Sequence, residues 1–226
     1  MNKKIGKAMA VLLIFTFLLL PMVGFATDVE APTIEMEDVS PEDWFYRYVV
    51  DGLRFEIITG VSGDTFRFVP DRNVTRAEFI TMLGRLHEYG HGTIGTPGEG
   101  AFYERYLEWA VELGIIHGNR HGDLMPRSLI TREQKAVVVY RYIDAFDLWD
   151  YFRHGYLMRA LLFSDFMEIS HWAQGPVYRL KSSLIVRSRI DGYYDPHHTV
   201  SRAEALQILI RVGSAVYDLV HPLRWW

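Results

Sequence analysis

Two kinds of hydrophobic pattern recur three times along the chain, and both have helical period. In the first, Asp43, Arg47, Asp51 and Arg54 form a polar stripe against an apolar side of Trp44, Tyr48, Val49 and Leu53. Its second occurrence sets Glu104, Glu108 and Glu112 against Tyr106, Leu107, Ala110, Val111 and Leu113. A third begins at Trp172, where Gly175-Pro176 and Ser182-Ser183 predict a weakened helix. The second pattern is apolar nearly all round, which predicts buried helices. It holds Phe79, Ile80, Met82, Leu83 and Leu86, then Val137-Val138-Val139-Tyr140 with Tyr142 and Ile143, then Leu206, Ile208, Leu209, Ile210 and Val212. The expected fold is all-α, with three helix-loop-helix units. Their greasy second helices lie at the centre and their amphipathic first helices outside.

The spacing makes these units repeats. Trp44 to Gly60, Phe102 to Gly118 and Trp172 to Ser188 each span sixteen residues and end in an apolar pair plus a punctuation position. A turn with Gly63-Asp64, Gly122-Asp123 or Asp191-Gly192 follows. Next come Pro70, Pro126 and Pro196, each six residues before an arginine. That arginine sits in Thr75-Arg76-Ala77-Glu78, Thr131-Arg132-Glu133-Gln134 or Ser201-Arg202-Ala203-Glu204. Repetition at fixed offsets identifies a repeated structural unit.

The hydroxyl and the Glu or Gln of each motif predict a capping box at a helix start. The arginine has no such explanation, because a cation in the first turn opposes the helix dipole. A bound anion would offset that cost, and helix amino ends offer free amides to anions. An arginine paired with a nearby carboxylate is the structural alternative.

Charge and composition narrow the chemistry. Residues 1–26 read as an export signal, with Lys3, Lys4 and Lys7, an apolar stretch from Ala8 to Leu20, and small residues before a cut after Ala26. An uncleaved membrane anchor is the alternative; either way the rest lies outside the cytoplasmic membrane, with no membrane contact expected after cleavage. Removing those three lysines from 24 basic residues leaves 21 against 28 acidic, about −7, so no general positive field for nucleic acid exists. No cysteine is present, and a chain of this size does not need disulfides. The nine histidines, among them the pairs His117/His121, His87/His91 and His197-His198, show no metal-ligand signature and are expected in solvated loops. Arg179, Lys181, Arg187 and Arg189 are expected on a solvated basic face. No catalytic motif, cofactor motif or metal site is expected, and a cell-wall enzyme ranks last because three repeats leave too few residues for a catalytic domain.

Asp38-Val39, Trp44, Ile57-Ile58-Thr59-Gly60, Phe68-Val69-Pro70 and the Thr75 motif resemble the S-layer homology (SLH) repeat. Glu108 to Gly118 with Ile130 to Gln134 resembles it even more closely. The resemblance covers about residues 36–215. It implies three repeats in a pseudo-threefold arrangement around a central three-helix bundle. It also implies a non-catalytic module that binds anionic, often pyruvylated, secondary cell-wall polysaccharide without a covalent link. The expected location is the wall or surface of a Gram-positive-type envelope. The implied ligand-binding residues are Arg76, Arg132 and Arg202, with Trp44 and Trp172 at the aromatic position and Gly60 and Gly118 at the close-backbone position. Departures from the repeat are Met36, Phe102, the absence of an acidic opening in the second copy, and Ser188 in place of glycine; they lead us to expect one or two competent grooves, the Arg76 groove foremost. A protein-interaction or assembly subunit of the envelope is the alternative, with other envelope proteins as partners. The expected boundaries are signal 1–26, linker 27–35, repeats 36–90, 101–147 and 161–215 (the third divergent), linkers 91–100 and 148–160, and tail 216–226.

Overall fold

The computed structural model describes residues 36–60, 66–96, 100–152, 163–189 and 191–217. The signal segment, the 27–35 linker, the turn at Gly63-Asp64, most of the 148–160 linker and the terminal Trp225-Trp226 lie outside the described residues.

Among the described residues six α-helices form where the apolar periodicity places them: α1 Tyr46–Arg54, α2 Arg76–His91, α3 Glu104–Glu112, α4 Arg132–Ala145, α5 His171–Ser182 and α6 Arg202–Tyr217. Among the described residues β-structure is limited to isolated bridges. Helices α2, α4 and α6 carry most of the fully buried side chains, including Phe79, Leu83, Val139, Tyr142, Leu206 and Leu209.

The capping boxes form. Thr75 Oγ1 accepts from the Glu78 amide at 3.2 Å while the Glu78 carboxylate accepts from the Thr75 amide at 2.8 Å. Thr131 with Gln134 and Ser201 with Glu204 repeat the exchange. Each cap stabilises its helix start by about 1 kcal/mol.

Helix pairing departs from the simple helix-loop-helix picture. The dominant contacts join α1 to α6, α3 to α2 and α5 to α4, so each outer helix packs on the central helix of another repeat; α2 also packs on α6. Close approach of α3 to α2 needs Gly84, where a Cβ would stand 2.2 Å from the Tyr106 ring. Backbone hydrogen bonds make the same exchange. The Val74 amide donates to Val200 O at 2.9 Å, Val200 to Ile130 O at 3.0 Å, and Ile130 to Val74 O at 3.1 Å. That circuit is closed and lies among fully buried side chains.

Several sequence expectations are corrected. Pro176 sits inside α5 without breaking it, and α5, at 12 residues, is longer than α1 or α3 at nine. Ala173, Val177 and Leu180 are buried one turn apart, and that packing outweighs the hydrogen bond proline removes. Asp51, assigned to a polar stripe, is buried, and desolvation raises its pKa despite the nearby Arg47 and Arg54. Trp44, Val111 and Leu113, assigned to apolar sides, are exposed. His87 is buried among Trp109, Tyr142 and Phe146 rather than in a solvated loop. The basic face of the third copy is partly stacked: Arg179 lies over the Trp149 ring at 4.6 Å and Lys181 over Phe163 at 3.6 Å.

Candidate functional site

The motif arginines stand at the seams between repeats because the helix starts are built there. Each proline contributes its carbonyl to the next seam. The amides of Arg76 and Ala77 donate to Ser128 O and Pro126 O, those of Arg132 and Glu133 to His198 O and Pro196 O, and those of Arg202 and Ala203 to Arg72 O and Pro70 O. The recurring proline-to-arginine spacing thus has a structural cause. It also corrects one expectation: the first helical amides are already hydrogen-bonded, so they are not free to hold an anion. An anion beside these helix starts is left to side chains and to amides outside the first turn.

The residue before each proline adopts a left-handed conformation, with φ of 56° at Val69, 51° at Met125 and 59° at Asp195. A carboxylate holds each strained turn. Asp38 accepts from the Phe68 and Val69 amides at 2.7 and 2.6 Å, and Asp165 from those of Tyr194 and Asp195 at 2.8 and 2.6 Å. The second copy, without an acidic opening, uses Asp123, which accepts from the Met125 amide at 2.8 Å.

The three arginines then differ. Arg132 is 7% exposed; its Nε donates to Tyr194 O at 2.6 Å, its Nη1 pairs with Glu204 at 2.7 Å, and its guanidinium lies over the Tyr194 ring. Arg202 is 8% exposed and donates to Thr59 O at 2.7 Å; its guanidinium lies over Phe68, and burial pulls its pKa down to about 10. Arg76 is half-buried and donates from Nη2 to His117 O at 3.0 Å; among the described residues its Nε, like that of Arg202, is buried and without a partner. Burial, and then the charge of Arg141, lower the pKa of Arg76. Part of the arginine signal is therefore structural: each of the three clasps a carbonyl of another repeat.

Arg76 alone of the three lines a cavity of about 640 Å³ that also takes its wall from Gly118 in the second copy and Trp172 in the third. Three of the residues expected to bind ligand, from three different repeats, meet there. Trp172 is 53% exposed, so its ring is available for stacking. Gly118 is required by its own turn, since a Cβ would stand 2.4 Å from the Gly122 carbonyl carbon. Arg132, Arg202, Trp44 and Gly60 lie outside this wall. Arg141 is a further cation on it, and its signal in the sequence is an offset of nine residues after Arg132.

A second cavity, about 720 Å³, is lined by Arg54, Arg85 and Arg105 together with Glu56 and Glu88. Two carboxylates offset two of its three arginines, Arg105 pairing with Glu88 at 3.0 Å. Among the described residues no group of histidines and carboxylates could hold a metal ion, and no helix is long and apolar enough to cross a membrane.

The S-layer homology domain family model matches residues 35–80 and 162–206. It therefore matches the third copy, which the sequence suggested was divergent, and not the second, which keeps the same helices, cap and left-handed turn. The chain is 28% identical over 224 residues to an endoglucanase of Bacillus sp. (strain KSM-635), covering 92% of this chain and 22% of that protein. It is 30% identical over 126 residues to the surface-layer 125 kDa protein of Lysinibacillus sphaericus, 50% of this chain and 10% of that one. To the cellulosome-anchoring protein of Acetivibrio thermocellus it is 23% identical over 190 residues, 77% of this chain and 41% of that one. The chain thus spans about a fifth of the endoglucanase and under half of the anchoring protein.

Proposed function

From the S-layer homology repeats that this chain carries, we propose that it is a non-catalytic cell-surface module that holds an anionic secondary cell-wall polysaccharide. The supporting observation is the cavity that unites Arg76, Gly118 and Trp172. A guanidinium gives a planar grip for a carboxylate such as a pyruvyl ketal, and an exposed indole gives a stacking face for the sugar. Arg132 and Arg202, buried and clasped, are secondary sites at most, which makes the Arg76 groove the principal one. The cyclic exchange of hydrogen bonds and helices supports a pseudo-threefold arrangement. The enzymes among the relatives share a stretch that is a small part of their own length, so their activities are not carried over.

The burial of Arg132 and Arg202 favours a second reading, an envelope assembly subunit in which those seams serve the fold and a protein partner. Co-sedimentation with purified wall sacculi, before and after extraction of the secondary polymer, separates the two. Polymer-dependent sedimentation supports the first, and equal sedimentation in both cases contradicts it.

A further inference from the structure

The three central helices share a second arginine. Arg85, Arg141 and Arg211 each stand nine residues after the motif arginine of their own copy. Two are engaged within the fold. Arg85 hydrogen-bonds the Tyr106 side chain. Arg211 donates to Ile185 O at 3.2 Å and hydrogen-bonds the Tyr48 side chain. Arg141 is different: among the described residues its guanidinium has no carboxylate, carbonyl or hydroxyl partner. It shares one face of α4 with Gln134, Val137 and Val138, and that face lines the Arg76 cavity.

Two guanidinium groups therefore share one wall. The one carboxylate among the described lining residues, Asp123, is held in its own turn by the Met125 amide. Like charges in a partly desolvated space repel, and an anion between them reverses the sign of the interaction. We propose that Arg141 is a second anion-gripping residue of this cavity, so that the ligand is a glycan segment presenting two oxyanions rather than one. This rests on the reading of the cavity as a glycan groove. Among the described residues Arg85 and Arg211 hydrogen-bond tyrosine side chains, and Arg211 also a carbonyl, so the double grip is assigned to this groove.

The test is calorimetric titration of the protein with polysaccharide released from sacculi, at low and high salt. The polymer is used untreated, after mild acid removal of ketal-linked carboxylates, and after hydrogen fluoride removal of phosphates. Arg141→Gln is expected to bind untreated polymer about tenfold more weakly, with a shallower salt dependence and an unchanged melting temperature. Arg141→Lys recovers part of the loss by restoring the charge. Whichever treatment abolishes the difference between wild type and Arg141→Gln identifies the second oxyanion as carboxylate or phosphate. If Arg76→Ala loses binding while Arg141→Gln matches wild type at both salts, the groove stands and the second grip is overturned. If neither substitution changes the isotherm, the groove reading itself falls.

Discussion

Arg132 and Glu204 are joined at 2.7 Å across the seam between the second and third copies, with the arginine side chain 9% exposed. Glu204 also caps α6, so one carboxylate serves a helix start and an ion pair together. Arg132→Ala removes the arginine donor from Glu204 Oε1 and from the Tyr194 carbonyl, while Oε2 keeps the Ser201 amide. Removing one partner of a buried pair is expected to cost about 3 kcal/mol. Urea unfolding should show a lowered midpoint for Arg132→Ala, whereas Arg76→Ala stays within about 1 kcal/mol of wild type. Equal losses in both variants would mean that the two arginines have the same structural weight.

His87 makes the fold sensitive to acid. Burial, reinforced by the adjacent His91, lowers its pKa from 6.5 to about 4. As pH falls, the unfolded chain takes up the proton before the folded one does. The contribution is fully present above about pH 6.5 and is lost as pH falls towards about 4, at most about 3 kcal/mol. His87→Phe, placed among Trp109 and Phe146, should flatten the melting temperature across that window. An unchanged slope in the variant would assign the acid sensitivity to other groups.

Lys135 is a buried cation where the other copies place Phe79 and Ala205. Burial first, then the Arg132 charge, lower its pKa from 10.5 to about 7. The unfolded chain therefore holds the proton more strongly, and this residue's penalty grows as pH falls from about 10.5 to about 7. Lys135→Met should stabilise the protein at pH 7 by on the order of 2 kcal/mol and weaken the pH dependence above it. A destabilised variant would show that the ammonium is held by favourable contacts.

Asp165 holds a left-handed residue that precedes a proline. Asp165→Ala removes both acceptors from the Tyr194 and Asp195 amides and is expected to cost about 2 kcal/mol, read as a lower melting temperature. A cost below about 0.5 kcal/mol would show that the turn persists without its carboxylate.

Local chemistry was legible in the sequence, and tertiary assignment was not. Thr75 with Glu78, and its two counterparts, could be read as caps because the atoms involved lie within one turn. Central burial could be read because α2, α4 and α6 lack a polar face. The cyclic exchange was hidden, since nothing in the periodicity of α1 says that it packs on α6. Gly175-Pro176 points to a weakened helix only until the burial of Val177 and Leu180 is known. The three arginines look equivalent in sequence and differ only through distant residues: Glu204 for Arg132, Thr59 for Arg202, and the Trp172 cavity for Arg76.

Whether the Arg76 groove holds the glycan is decided by the isotherm of Arg76→Ala against the isolated wall polysaccharide. The variant is expected to bind at least tenfold more weakly than wild type, with an unchanged melting temperature. An isotherm superimposable on wild type would contradict it.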